Sequence, residues 1–215
     1  MTDISIIDYG INNLKSVSMA FEKIGRNAEI INRPAQALAA NCLVLPGIGA
    51  FGDGMNGLKE RGLIEPIKQK VSQGTPMLGI CLGMQMLFTE SEEFGLHKGL
   101  NFIPGRVIPF RKPDEMNITG YKVPHMGWNG LEKQGREWKG TLLESTNEKS
   151  DVYFVHSFYP DVKDSNYILA TTEHGGQRFC SVVKKYNVIG TQFHPEKSGA
   201  VGLNMLKKFC ELNRI

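Results

Sequence analysis

The segment Gly79-Ile80-Cys81-Leu82-Gly83 sets a thiol between two glycines, the pattern of a nucleophile on a tight turn. An apolar run, 77–80, leads into it, and a helical run, 84–88, leaves it. A Cβ at either flank would crowd a sharp strand-to-helix turn, and glycine removes that obstacle. The turn lifts the thiol to the carboxyl edge of a sheet, where open α/β sheets bind ligands. It also sets Cys81 at a helix N-terminus, whose partial positive charge favours thiolate. The backbone N–H of Leu82 then points at any oxyanion formed on a substrate. The competing reading is a packing cysteine at the end of a core strand. That reading is adopted for Cys42, Cys180 and Cys210, each of which sits inside an apolar pattern.

A nucleophilic cysteine needs a base, and the base needs a group to orient it. The histidines are His97, His125, His156, His174 and His194. Thr191-Gln192-Phe193-His194-Pro195-Glu196 supplies both parts within three residues. Pro195 ends the preceding strand pattern, and residues i and i+2 of an extended chain point the same way. Glu196 can therefore accept from one imidazole nitrogen of His194 while the other faces the thiol. A Cys/His/Glu metal site is the alternative, but no second Cys or His lies at ligand spacing.

Gly47-Ile48-Gly49-Ala50-Phe51-Gly52 matches G-x-G-x-x-G, and Gly54 extends it. A dinucleotide site wants this turn in the first strand-helix unit, with an acidic residue at the end of the next strand. Here it follows the third strand, behind Pro46, and Glu60 and Glu65 fall within helical patterns. The reading adopted is a flexible turn beside Cys81 whose N–H groups complete an oxyanion hole, with no cofactor.

These residues need elements to position them. In the first half, short apolar runs at 4–8, 28–31, 42–45 and 77–80 alternate with helical patterns at 34–40, 52–61 and 63–73. Asn12 or Asn13 can cap a helix carrying Leu14, Val17, Phe21 and Ile24 on one face, ended by Gly25. Such alternation implies right-handed crossovers and an open, mostly parallel, flavodoxin-like sheet with helices on both faces. From about residue 105 to 190 the apolar runs shorten: 106–110, 152–155, 167–170, 180–183 and 188–191 read as antiparallel strands. A last helix, 201–212, turns Leu203, Leu206 and Phe209 inward. The expectation is one domain spanning 1–215.

Composition narrows the function classes. With 41% hydrophobic and 22% charged residues, the 215-residue chain is neither a disordered tail nor a membrane bundle. A net charge of +3, with scattered Lys and Arg, gives no reason to expect nucleic acid or an acidic surface. Four cysteines are too sparse for a disulfide framework. The first ten residues lack a basic leader and a long apolar core, so the expected compartment is the cytoplasm.

Pro-Gly-Ile-Gly-Ala-Phe at 46–51, Gly-Ile-Cys-Leu-Gly-Met-Gln at 79–85 and His-Pro-Glu-Lys-Ser at 194–198 resemble the class I (triad) glutamine amidotransferases. Lys122-Val123-Pro124-His125-Met126-Gly127-Trp128-Asn129 and Tyr153-Phe154-Val155-His156-Ser157-Phe158 narrow the likeness to the glutaminase subunits of imidazole glycerol phosphate synthases. The resemblance runs from Asp8-Tyr9-Gly10 to the last helix.

The resemblance implies Cys81 as nucleophile, His194 as acid and base, and Glu196 as its orienting carboxylate. It places the oxyanion on the backbone of Ile48, Gly49 and Leu82. It assigns the substrate glutamine to Gln85, Glu93, His156, Ser157 and Phe158. Asn12, Met126, Trp128 and Lys197 would face a cyclase partner in a heterodimer, which receives the ammonia and makes imidazole glycerol phosphate for histidine biosynthesis. Paralogues serving nucleotide-sugar amidation remain open, as do a stand-alone cysteine hydrolase and a silent regulatory subunit. The polar stretch 110–120 has no assigned role.

Overall fold

The computed structural model describes residues 3–10, 13–111 and 121–215. In chain order its elements begin with β1 (Ile4–Ile7), α1 (Leu14–Lys23), β2 (Ala28–Ile31), α2 (Pro34–Ala39), β3 (Leu43–Leu45), α3 (Phe51–Glu60) and α4 (Ile64–Ser72). Next come β4 (Met77–Ile80), α5 (Leu82–Met86), β5 (Phe88–Ser91), β6 (His97–Lys98), β7 (Ile103–Pro109), β8 (His125–Gly130) and β9 (Glu132–Lys133). The remainder is β10 (Asp151–His156), β11 (Phe158–Val162), β12 (Ile168–His174), β13 (Gln177–Lys185), β14 (Val188–Thr191) and α6 (Gly199–Leu212).

The central sheet has the order β2-β1-β3-β4-β14-β13-β12-β9. Strands β2 through β14 run parallel, and β13, β12 and β9 continue antiparallel. This is the open, mostly parallel sheet with an antiparallel extension that the alternation of patterns implies. Two strands read as antiparallel are so on one side only. Val188–Thr191 pairs antiparallel with β13 but in parallel with β4, through Val188↔Met77 and Thr191↔Ile80. Strand β7 pairs antiparallel with β11 but in parallel with β5. Their β-rich neighbours in sequence conceal this, because strand direction is set by the partner and not by the strand's own residues.

The parallel strands are buried on both faces, so they read as nearly continuous apolar runs. Ile4 and Ile6 of β1 meet Val17 and Phe21 of α1 and Leu206 and Phe209 of α6 in one core cluster. Ile7, Leu43 and Leu45 meet Ala37 of α2, Leu58 of α3 and Ile67 of α4 in the other. Each fully buried side chain of this size contributes about 1.5–3 kcal/mol.

Two smaller sheets complete the molecule: β11-β7-β5-β6, and the pair β10-β8. The helical run expected at 84–88 stops early. Helix α5 ends at Met86 and the chain turns into β5 at Phe88, which pairs with Ile103 of β7. The glycine-rich segment is likewise only partly a turn. Helix α3 begins at Phe51, so Gly52, Gly54 and Gly57 are helical. A Cβ on Gly57 would run into the carbonyl oxygen of Tyr9. That glycine lets the helix approach the end of β1.

Candidate active site

Cys81 leaves the carboxyl end of β4 with φ 54° and ψ −110°, a conformation that costs an L-residue about 1–3 kcal/mol. Backbone hydrogen bonds hold it there. Cys81 N–H donates to Thr191 O at 2.8 Å, and Gln85 N–H donates to Cys81 O at 3.1 Å. Both flanking glycines are sterically required. A Cβ on Gly79 would lie 2.7 Å from Gly83 O, and one on Gly83 would run into the carbonyl oxygen of Leu45. Helix α5 spans five residues, too short for much of a macrodipole, so the sulfur's electrostatic partner is His194.

His194 follows β14 and is fixed by its backbone: its N–H donates to Tyr153 O at 2.9 Å, and its carbonyl accepts from Ser198 Oγ at 2.6 Å. Its Nδ1 lies 2.7 Å from Glu196 Oε1, with the two side chains 1% and 0% exposed. Pro195–Lys197 forms a short 3-10 turn rather than the extended chain expected, since the proline ring sets a turn-compatible φ at its first position. The carboxylate still reaches the imidazole. Nδ1 therefore carries a proton, and Nε2 is buried with no hydrogen-bond partner among the described residues. Burial opposes the imidazolium, but Cys81 first and Glu196 with it push the pKa up to about 10. The same carboxylate oxygen accepts from Asn13 Nδ2 at 2.8 Å. Asn13 opens α1 at φ 83° without capping it by its side chain, so the expected cap is instead a ligand of Glu196.

A cavity of about 340 Å³ opens over Cys81. Ile48, Gly49 and Leu82 line it, as do Gln85, Glu93, His156, Ser157 and Phe158. Gly49 holds φ 106°, which turns its peptide as only glycine does easily. Gln85 Nε2 donates to Phe158 O at 2.9 Å and to Gln192 Oε1 at 3.2 Å. Glu93 Oε2 accepts from Phe51 N–H at 2.6 Å, tying the glycine turn and the start of α3 to the chain after β5. Burial raises the pKa of Glu93, and the Phe51 N–H partly offsets this.

Met126 and Trp128 stand out from β8, 66% and 57% exposed. Trp128 meets Tyr153 of the paired strand in an edge-on ring contact, and Lys197 Nζ lies over the Tyr153 ring. Tyr153 and Lys197 line the cavity, so Trp128 touches a residue of its wall. Asn12 and the stretch 112–120 lie outside the described residues.

Sequence reasoning missed Tyr153 and Val155 in the lining, Gln192 behind Cys81, and Asn13 on Glu196. The period-two alternation of β10, which buries Val152 and Phe154, would have assigned Tyr153 and Val155 to the opposite face. Gln192 and Asn13 leave no such signal.

Cys42, Cys180 and Cys210 are in the cores, their thiol pKa values raised by burial, Cys210 to about 11. Among the described residues no three His, Cys, Asp or Glu are placed to hold a metal ion. In the same residues no helix is long and apolar enough to cross a membrane.

Residues 5–212 match the family described as glutamine amidotransferase class-I. The chain is 49% identical over 97% of its length, and 100% of the relative's, to imidazole glycerol phosphate synthase subunit HisH of Syntrophotalea carbinolica. It is 48% identical to the same-named protein of Geobacter sulfurreducens, over 99% of this chain and 100% of that one. A crystal structure of a glutamine amidotransferase shares the fold with a TM-score of 0.74 at 16% identity, covering 99% of this chain and 100% of that chain.

Proposed function

The chain belongs to the class-I glutamine amidotransferase family, and from that premise we propose that Cys81, His194 and Glu196 hydrolyse glutamine and deliver the ammonia to a synthase partner. The carrying observation is the buried imidazole: Glu196 holds its Nδ1 at 2.7 Å, and its charge is stabilised by Cys81 at the floor of the cavity.

The Cys81 sulfur attacks the side-chain carboxamide carbon of glutamine, forming a C–S bond and an oxyanion. Backbone N–H groups of Leu82 and of the Ile48-Gly49 turn receive the oxyanion. His194 gives a proton to the nitrogen, the C–N bond breaks, and ammonia leaves a thioester on Cys81. Water attacks the thioester as His194 takes its proton, the C–S bond breaks to return the Cys81 thiolate, and glutamate departs. Gln85, Glu93 and the 156–158 turn hold the amino acid. No cofactor takes part. Residues 1–215 form one glutaminase domain.

Ammonia is a nucleophile only while unprotonated, so release into water wastes it at neutral pH. Lys197, which lines the cavity, and the exposed Met126 and Trp128 on the strand paired with β10 form the docking face for a cyclase subunit. The relatives are named subunits of imidazole glycerol phosphate synthase, which supports a heterodimer in cytoplasmic histidine biosynthesis. The test is ammonia release from glutamine with and without a cyclase subunit and its ligand. Low activity alone, strong stimulation in the complex, and loss in Cys81→Ala are expected. Full turnover without a partner would identify a stand-alone hydrolase, and full activity in Cys81→Ala would sink the mechanism.

A further inference from the structure

Asn129 fixes the direction of a chain of hydrogen bonds that runs inward from the half-buried amide to the buried His125–His156 pair. Its Oδ1 accepts from Gly130 N–H at 2.8 Å and its Nδ2 donates to Glu173 O at 2.8 Å, so the amide has one orientation. The remaining Nδ2 hydrogen meets His125 Nε2 at 3.3 Å, which must therefore be the bare acceptor nitrogen. His125 then carries its proton on Nδ1 and donates it to His156 Nε2 at 3.1 Å. His156 in turn is protonated on Nδ1, which donates to Phe158 O at 2.9 Å.

With an amide donor at one end and a carbonyl at the other, the protons can point only one way. A second proton on either ring would set N–H against N–H. Burial acts in the same direction and is the main force lowering both imidazoles to a pKa of about 3; His174 adds to it at His125, while at His156 the Phe158 carbonyl opposes it and His125, His174 and His194 add to it.

The rings sit among aromatic neighbours, the nearest being the His174 imidazole, stacked on His125 at 4.0 Å. Phe154 stacks on His125 at 4.8 Å, and Phe110 and Phe179 present edges to it. Burying a polar ring there costs free energy unless its hydrogen bonds are made. The relay makes them. It ends on Phe158 O, which also accepts from Gln85 Nε2 at 2.9 Å. From Gln85 the bonds continue to Gln192 Oε1 at 3.2 Å, and Gln192 Nε2 lies 3.8 Å from the Cys81 sulfur. His125 and Asn129 do not line the cavity. They lie on the inner face of β8, one strand thickness behind the exposed Met126 and Trp128.

We propose that Asn129, His125 and His156 form a one-directional neutral relay that fixes the Phe158 carbonyl and, through it, Gln85, making His125 and Asn129 positioning residues for the substrate. The relay sets where the 156–158 turn stands as the chain passes from β10 to β11. This rests on reading the cavity as the glutamine site.

The test begins with ring-nitrogen NMR of the 15N-histidine-labelled full chain at neutral pH, without glutamine. His125 and His156 are expected to be protonated on Nδ1 and bare on Nε2. An imidazolium or an Nε2–H form at either ring overturns the proposal. Asn129→Asp replaces the donor by an acceptor of the same shape. It is expected to put a proton on His125 Nε2 and raise the KM for glutamine about 5–10-fold, with a smaller change in kcat. An unchanged KM with that proton in place also overturns it. If Asn129→Asp fails to fold, the spectrum of the unaltered chain still decides. Absence of any glutamine turnover by the unaltered complex would strike the glutamine reading instead, and the tautomers are read independently of turnover.

Discussion

Asn13 Nδ2 donates to Glu196 Oε1 at 2.8 Å, the same oxygen that holds His194 Nδ1 at 2.7 Å. The contact joins residues 183 positions apart and gives the carboxylate oxygen a second partner beside the imidazole. A hydrogen bond to a charged group contributes about 1.5–3 kcal/mol. Asn13→Ala is therefore expected to lower kcat about 10-fold or more with little change in KM, because substrate never touches Asn13. Steady-state glutaminase kinetics on the complex would reveal an unchanged kcat if the contact were idle.

Thiol chemistry should be selective. Cys42, Cys180 and Cys210 are buried with raised pKa values, whereas Cys81 opens on the cavity and is paired with His194, whose pKa it helps to raise. Iodoacetamide is expected to modify Cys81 first, and glutamine to protect it. Peptide mass spectrometry after brief labelling checks this, and prior labelling of any other cysteine refutes it.

Stability should peak near neutral pH. The folded pKa values of His125 and His156 lie near 3, below the ordinary 6.5 of the unfolded chain. Their contribution is complete above about pH 6.5 and is lost as pH falls toward 3, because the unfolded chain binds protons first. His194 has the opposite sign. Raised to about 10, it contributes fully below about pH 6.5 and loses that contribution as pH rises toward 10. Urea midpoints measured across this range should fall on both sides, and His125→Phe should flatten the acid limb.

Gly83→Ala should destabilise the fold by about 3 kcal/mol or more, because its Cβ meets backbone and not a movable side chain. Gly49→Ala differs. Its Cβ would meet nothing within 4 Å, so only the φ of 106° is strained. It should cost about 1 kcal/mol in stability and more in kcat. Denaturant unfolding of the two variants separates the cases.

Trp128→Ala should leave the basal glutaminase rate near that of the unaltered chain and weaken binding of the cyclase subunit. A buried interface tryptophan contributes about 2 kcal/mol or more. Calorimetric titration reads the loss, and unchanged affinity would remove Trp128 from the interface.

Features that rest on local chemistry are legible in the order of residues. Apolar runs alternating with helical patterns specify parallel strands with crossover helices, because each period demands its own burial geometry. Gly79 and Gly83 announce a turn that only glycine can make, and His194-Pro195-Glu196 carries its own pair. Tertiary structure decided the rest. Nothing local tells Phe88 to leave a helix for β5, since its partner Ile103 lies in β7. Val188–Thr191 became parallel only through β4. The link from Asn13 to Glu196, and the proton order running from Asn129 to Phe158, depend on which backbone groups arrive beside them. Those arrivals follow from packing distant segments, and a side chain's hydrogen-bond role is set by its partner's polarity as much as by its own.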